Sequence, residues 1–395
     1  MTERREVWIT GVGLLTCLGE GLEATWSHLE RGDPPVYDDK SFAPYIVHGL
    51  GPINFDKQIP KKSDQRQMEA WQRFGVYAAG LALSDAGIAG KADLLDRTDM
   101  IVAAGGGERD VEVDTAILAG LRTVPKPGAF LNERLMSDLR PTLFLAQLPN
   151  LLAGNISILH GVVGSSRTFL GEEAAGVDAV RIAQARIAAG QSELTLVGGA
   201  YNATRWDILL IFEHGGVPLR GKFAPVWDRG PVGGIAFANM GAFLVLESPE
   251  HARARGARPH ARISSISCDR NRRKPGEIET TLRRQWDAIA ATVDRAHAAI
   301  ISGAAGFEPA TSAEARVLKE IGLPVRNTGT YIGHGVEAQF IANLGIACAA
   351  LEHGRLFAPT GSGDMGESPS SLTQILVTNV GNWRGEGLAL IERVD

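Results

Sequence analysis

One pattern constrains this chain more than any other: short apolar runs closed by glycine alternate with longer segments of helical periodicity, and the series occurs twice. In the first pass, residues 7–13 and 99–104 read as strands, the second ending in Gly105-Gly106-Gly107. A continuous apolar run bounded by glycine is what a parallel strand covered on both faces requires. Helices are expected at 65–86, 110–121, 141–153 and 171–190, the last carrying Val177, Val180, Ala183 and Ile187 on one stripe. A strand at 193–197 running into Gly198-Gly199, and another at 242–247, complete this half. After a short helix at 249–256, the second pass predicts strands at 261–267, 298–302 and 324–326, and helices at 277–292, 312–321 and 336–352. Two strands, 374–379 and 387–393, finish the chain around a glycine-rich turn. Such alternation predicts α/β layers with right-handed crossovers. The repetition predicts two pseudo-repeated halves, 1–250 and 251–395, with a period far too long for a solenoid.

Composition excludes several classes. With 44% hydrophobic and 22% charged residues among 395, the chain can bury a large core and is not expected to be disordered. A net charge of −5 argues against nucleic acid as the main partner. No apolar stretch approaches the ~18 residues of a membrane span, and the opening MTERREVWITGVG lacks the apolar region of a signal peptide. Cys17, Cys268 and Cys348 form neither a framework nor a CxxC pair, so a cytoplasmic location is expected. The Gly105-Gly106-Gly107-Glu108-Arg109 turn matches neither GxGxxG nor GxxxxGK[ST] and reads as a tight strand-to-helix turn, not a nucleotide site. The nine histidines are scattered without ligand spacing, and neither a metal nor a cofactor is expected.

Several segments resemble the β-ketoacyl-acyl-carrier-protein synthase family, closest to its type II elongating members. They are VWITGVGLLTCLGEG, RPTLFLAQLPNLLAGNISILHG, SELTLVGGA and APVWDRGPVGGIAFANMGAFLVLESPEHARARGA, in the family's order. The resemblance implies a thiolase-like fold in αβαβα layers. It also implies a Cys–His–His site, in which a helix-start thiolate accepts an acyl group and two histidines support decarboxylation of a malonyl carrier. Helix dipole and nearby positive charge lower a thiol's pKa, and aligned donors stabilise the developing oxyanion.

At that site the chain departs from the family. Counted from Gly164, and back from Gly176 and Gly199, the cysteine position falls on Glu173. The first family histidine falls near Gly303 and the family lysine on Gly329; the second histidine is retained as His334. The gating loop of the family is replaced by Asn379-Val380-Gly381-Asn382-Trp383-Arg384-Gly385, which makes Val380 and Asn382 the candidate gating residues. A carboxylate is a far poorer acyl acceptor than a thiolate, and loss of several members of a cooperating unit removes most of the rate. Each residue also has a plainer reading. Glu173, with Glu172, complements a helix dipole; His334 is a core histidine inherited with the fold; Asn382, Trp383 and Arg384 make a turn; Arg109 pairs with Glu108 at a turn.

Family members without the cysteine resemble chain-length-factor subunits. The strings DQRQMEAWQRFGVYAAGLAL, MIVAAGGGERDVEVDT and GNISILHGVVGSSRTFLGEE are similar to α-proteobacterial synthase-like proteins linked to very-long-chain acyl groups of lipid A. The resemblance implies an acyl carrier protein and an active β-ketoacyl synthase as heterodimer partner, or self-pairing as a homodimer. The expected role is an auxiliary, chain-length-determining subunit. The alternative is an acyltransferase in its own right, a 3-oxoacyl-carrier synthase or malonyl-carrier decarboxylase using Glu173 and His334.

Overall fold

Two successive series of strands and helices fold alike. In the computed structural model, which describes residues 5–394, the first series runs β1 (Trp8–Thr16), α1 (Ala70–Asp85), β2 (Asp99–Ala104), α2 (Leu151–His160), β3 (Ser166–Leu170), α3 (Glu173–Ala188), β4 (Leu194–Tyr201) and β5 (Met240–Glu247). The second runs β6 (Ala261–Asp269), α4 (Glu277–Asp287), β7 (Ala298–Ser302), α5 (Ala310–Ile321), β8 (Val325–Asn327), α6 (Gln339–His353), β9 (Gln374–Val380) and β10 (Glu386–Glu392). β2 lies between β3 and β4, parallel to both, as β7 lies between β8 and β9. Antiparallel pairs β4–β5 and β5–β1 continue the first half; β9–β10 and β10–β6 repeat them in the second. The halves meet where Trp8 and Ile9 pair antiparallel with Arg262 and Ala261, giving the order β8-β7-β9-β10-β6-β1-β5-β4-β2-β3.

Side-chain alternation along the strands builds the layers. Ile101 and Ala103 of β2 face an inner core with α3 and α6, whereas Met100, Val102 and Ala104 face α1 and α2. In β7, Ala299 and Ile301 face the same inner core, and Ala298 and Ile300 face α4 and α5. The result is the five-layered αβαβα arrangement that the resemblance implies. α6 is buried from Gln339 to Leu351 on every side, as a helix between two sheet layers must be. Close approach of layers excludes side chains at particular points. A Cβ at Gly13 would overlap the Ala78 carbonyl oxygen on α1, and one at Gly176 would overlap the Glu337 carbonyl oxygen.

The structure corrects several sequence expectations. The segment 65–86 is two helices, because Met68 is extended and Glu69 starts α1 with a capping box to Gln72. The segment 141–153 likewise breaks around Pro149, leaving Leu143–Ala146 and then α2. Helix Gly21–Arg31 lies between the expected strand at 7–13 and the expected helix at 65–86, where no element was assigned. β3 was not anticipated, because an edge strand with exposed Ser166 and Arg167 has no apolar run to announce it. β4 passes through Gly198 and Gly199 to Tyr201 rather than ending at them. Among the described residues no helix is long and apolar enough to cross a membrane.

Candidate functional site

Glu173 is the first residue of α3 and is 3% exposed. Its Oε1 lies 3.2 Å from Nε2 of His334 and accepts the backbone N–H of Asn382 at 3.2 Å. Burial pushes the Glu173 carboxyl up, but the hydrogen bond and charge of His334 and two backbone N–H groups outweigh it. The group is held below its ordinary value. The positive end of the α3 dipole acts in the same direction. His334 is fixed by its backbone on both sides: its N–H donates to the Ala236 carbonyl and its carbonyl accepts from Ala238, each at 2.9 Å. The flanking Gly333 has φ +66, and a Cβ there would run into the His48 ring.

The turn between β9 and β10 closes over this pair. Gly381 stands so near that a Cβ on it would be 3.1 Å from Glu173 Oε2. Arg273 holds the turn from the far side: Nη2 donates to the Gly381 carbonyl at 2.5 Å, and Nη1 pairs with the fully buried Glu386. Burial pushes the Arg273 guanidinium down to about 10. Arg384, on the turn, reaches Glu172 at 3.4 Å. A carboxylate engaged by an imidazole and a backbone N–H, and enclosed in this way, is poorly placed to attack a thioester.

Among the sequence candidates, the structure therefore brings Glu173, His334 and Asn382 into one contact group. Val380 is buried at the end of β9 in the outer core of the second half. Gly303 and Gly329 are also buried. A Cβ at Gly303 would overlap the Thr378 carbonyl oxygen, and one at Gly329 would lie 3.1 Å from the Ala304 carbonyl oxygen. No side chain fits at Gly303 without movement of β9, and little fits at Gly329. The thiols stand elsewhere. Cys17 donates to the Tyr331 carbonyl at 3.3 Å, and Cys348 lies inside α6. Burial pushes Cys17 and Cys268 up to about 12 and raises Cys348 well above its ordinary value, so none is a poised thiolate. Arg109 pairs with Asp114 rather than Glu108; Glu108 instead accepts from the Trp71 backbone and Asn202 at 3.0 and 2.9 Å.

Sequence reasoning missed three buried polar residues near this group. His48 donates Nδ1–H to the Val36 carbonyl at 2.7 Å, and burial pushes it down to about 3, so it is neutral. Glu337 and Tyr201 are 4% and 9% exposed. The available signal for Glu337 was an acid two positions ahead of a helix that is apolar all round.

The double five-stranded topology with two buried central helices defines a thiolase-like ketosynthase fold. A model of the family described as "Beta-ketoacyl synthase, N-terminal domain" matches residues 4–252, and the chain belongs to the β-ketoacyl synthase family. It is 26% identical over 270 residues to a 3-oxoacyl-(acyl-carrier-protein) synthase 2 of Vibrio harveyi, across 66% of this chain and 62% of that relative. The match thus spans less than two thirds of that curated relative. A β-ketoacyl synthase from Burkholderia phymatum STM815 superposes with TM-score 0.80 at 20% identity, covering 99% of this chain and 100% of that one. The ishigamide ketosynthase/chain length factor does so with the same TM-score, identity and coverage.

Proposed function

We propose that this chain is a non-condensing subunit of an acyl-carrier-dependent ketosynthase system. It pairs with a catalytically complete synthase and shapes the tunnel for a very long acyl chain, such as that of lipid A. In this reading Glu173 stands where the family carries its nucleophilic cysteine, Gly303 and Gly329 where it carries a histidine and a lysine, and His334 is the retained histidine. Val380 and Asn382 belong to the loop that gates the acyl pocket. The two halves are 1–250 and 251–395. The observation that carries the reading is the enclosed Glu173–His334 pair beneath the 381–385 turn. An ionised carboxylate there is a poor acyl acceptor and repels a malonyl carboxylate.

Partner binding is supported by the apolar side chains on the first half. Met136, Phe144, Leu145 and Leu148 are 79%, 72%, 51% and 46% exposed, all within one segment of the long β2–α2 connection. A segment that exposes this many large apolar side chains suits a partner surface better than bulk water, and an obligate subunit interface buries ~2,000 Å² or more.

Co-expression with a complete synthase and its acyl carrier protein tests the proposal. The expected outcome is a stable hetero-oligomer that Phe144→Asp with Leu148→Asp weakens at least about tenfold. The purified chain should give neither a covalent acyl adduct nor CO₂ from malonyl carrier. Either product from the chain alone would instead support an acyltransferase or decarboxylase that uses Glu173 and His334.

A further inference from the structure

We infer that the loop of residues 220–234 binds a small phosphate monoester, with Lys222 and Arg220 reaching the phosphate and Arg229 adding its charge from within the protein. The ends of this loop are tied together: Leu219 donates its N–H to the Ile235 carbonyl, and Ile235 donates its own to Val217, each at 2.8 Å. Compact loops with closed ends frequently carry function. The Arg229 guanidinium pins this one from inside. Its Nε donates to the Ala224 carbonyl at 3.1 Å, and its Nη1 to the Gly234 and Ala305 carbonyls at 2.8 Å. Beside it lies a cavity of about 560 Å³, lined by Arg220, Lys222, Asp228 and Arg229 and by the apolar Pro218 and Val232.

The charge balance of this wall selects an anion. Carbonyl oxygens satisfy donors but do not cancel a net charge, and a buried cation is ordinarily paired. Arg229 makes no ion pair among the described residues, and burial pushes it down to about 9 with no neighbouring acid to offset this. Its charge reaches His48, which burial first and Arg229 second push down to about 3. Lys222 is exposed and has neither a hydrogen bond nor an ion pair among the described residues. Arg220 pairs with Glu213 and lies over the Tyr45 ring, which fixes its guanidinium in place. Asp228 is taken up by Ser362, accepting its hydroxyl and its N–H. The two cations left without a carboxylate, Lys222 and Arg229, match the double charge of a phosphate monoester near neutral pH. The Arg229 Nη2 is buried and offers no surface, so Arg229 acts through its field and contact falls to Lys222 and Arg220. At ~30 Å³ per water the cavity has room for about nineteen, far more than a bare phosphate fills. Pro218 and Val232 are left to meet the organic part of the ester.

Methyl-resolved NMR titration of the full chain at constant ionic strength, with methyl phosphate and with methyl sulfate, tests the site. The two probes share a shape and differ by one charge at about pH 7.5. Methyl phosphate should shift the Val232 methyl signals saturably and bind about fivefold more tightly than methyl sulfate. That preference should shrink near about pH 5, where the monoester keeps a single charge. Lys222→Gln should weaken methyl phosphate about fivefold, the effect of one solvent-screened charge at contact. Arg229→Gln should weaken it as well, and Arg229→Lys, which keeps the charge, should do so less. Should the Arg229 variants not fold, Lys222→Gln decides. Equal binding of the two probes, an unchanged affinity in Lys222→Gln or in folded Arg229→Gln, or no saturable shift of Val232 overturns the site. The readout needs neither a carrier protein nor a partner synthase, so a failed hetero-oligomer would remove the subunit reading and leave this result standing.

Discussion

The two halves share a strand order and differ in their connections, one of which faces the site. Between β7 and α5 the chain needs only residues 303–309, which are mostly buried. The matching link between β2 and α2 takes residues 105–150 and includes the helices Val111–Leu121, Pro127–Ser137 and Leu143–Ala146, with Met136 and Phe144 exposed. The shared order is what a two-layer core with central helices demands. The unequal connections are where function departs from architecture: the second half closes its site with backbone, and the first spends its extra length on surface.

The hardest test of that contrast is Gly303→His. Because a Cβ overlaps the Thr378 carbonyl oxygen, the variant should lose ~3 kcal/mol or more, read from its denaturation midpoint. Wild-type stability would mean that the short connection has slack and that the histidine could be restored. Next in size is Glu173→Ala, which leaves buried His334 without its partner. A loss of about 2–4 kcal/mol at neutral pH is expected. Glu173 is held below its unfolded value, so its stabilisation is present above pH 4.5 and fades as pH falls through the folded value. Wild type and variant should therefore converge in acid.

How much of this was legible in the sequence depends on burial. The sequence reading placed β2 and β7 at their observed bounds, because strands covered on both faces must be apolar throughout. β3 escaped because its Ser166, Arg167 and Leu170 face solvent at an edge. The meeting of Glu173 with His334 spans 161 positions, and no local periodicity encodes a contact of that range. Family resemblance singled out both residues and the turn that carries Gly381, but not Arg273, which holds that turn above them. The signal for Glu337 was weak for a further reason: an acid just before a helix is ordinary, and only the packing on Gly105 makes this one unusual.

Glu337 gives the third prediction. Its folded value of about 8 exceeds the unfolded 4.5, so the folded chain binds the extra proton and stability falls as pH rises between those values. Glu337→Gln should remove that slope, gaining upwards of about 3 kcal/mol over wild type at pH 8 and little at pH 4.5. Urea midpoints across that range measure it. Parallel curves for the two proteins would show that Glu337 is hydrated, contrary to its burial.

The smallest effect tests how the halves are joined. His260 precedes β6 and bonds Asp85 at the end of α1 and Glu352 on α6, each at 2.7 Å, while its backbone N–H donates to the Ile9 carbonyl on β1. Asp85 in turn accepts the Val12 N–H at 2.7 Å. Burial alone would lower the imidazole, but the two carboxylates outweigh it and raise it to about 9. The stabilisation is full below the unfolded value of 6.5 and is lost as pH rises through 9. Because Asp85 and Glu352 are 38% and 31% exposed, solvent screens much of it, and His260→Gln should cost only about 1 kcal/mol at pH 6. That cost should vanish by pH 10. The windows of His260 and Glu337 overlap between 6.5 and 8, so the residual wild-type slope above pH 8 belongs to His260. If His260→Gln leaves that slope unchanged, the halves are held together by the β1–β6 pairing and the shared core without this bridge.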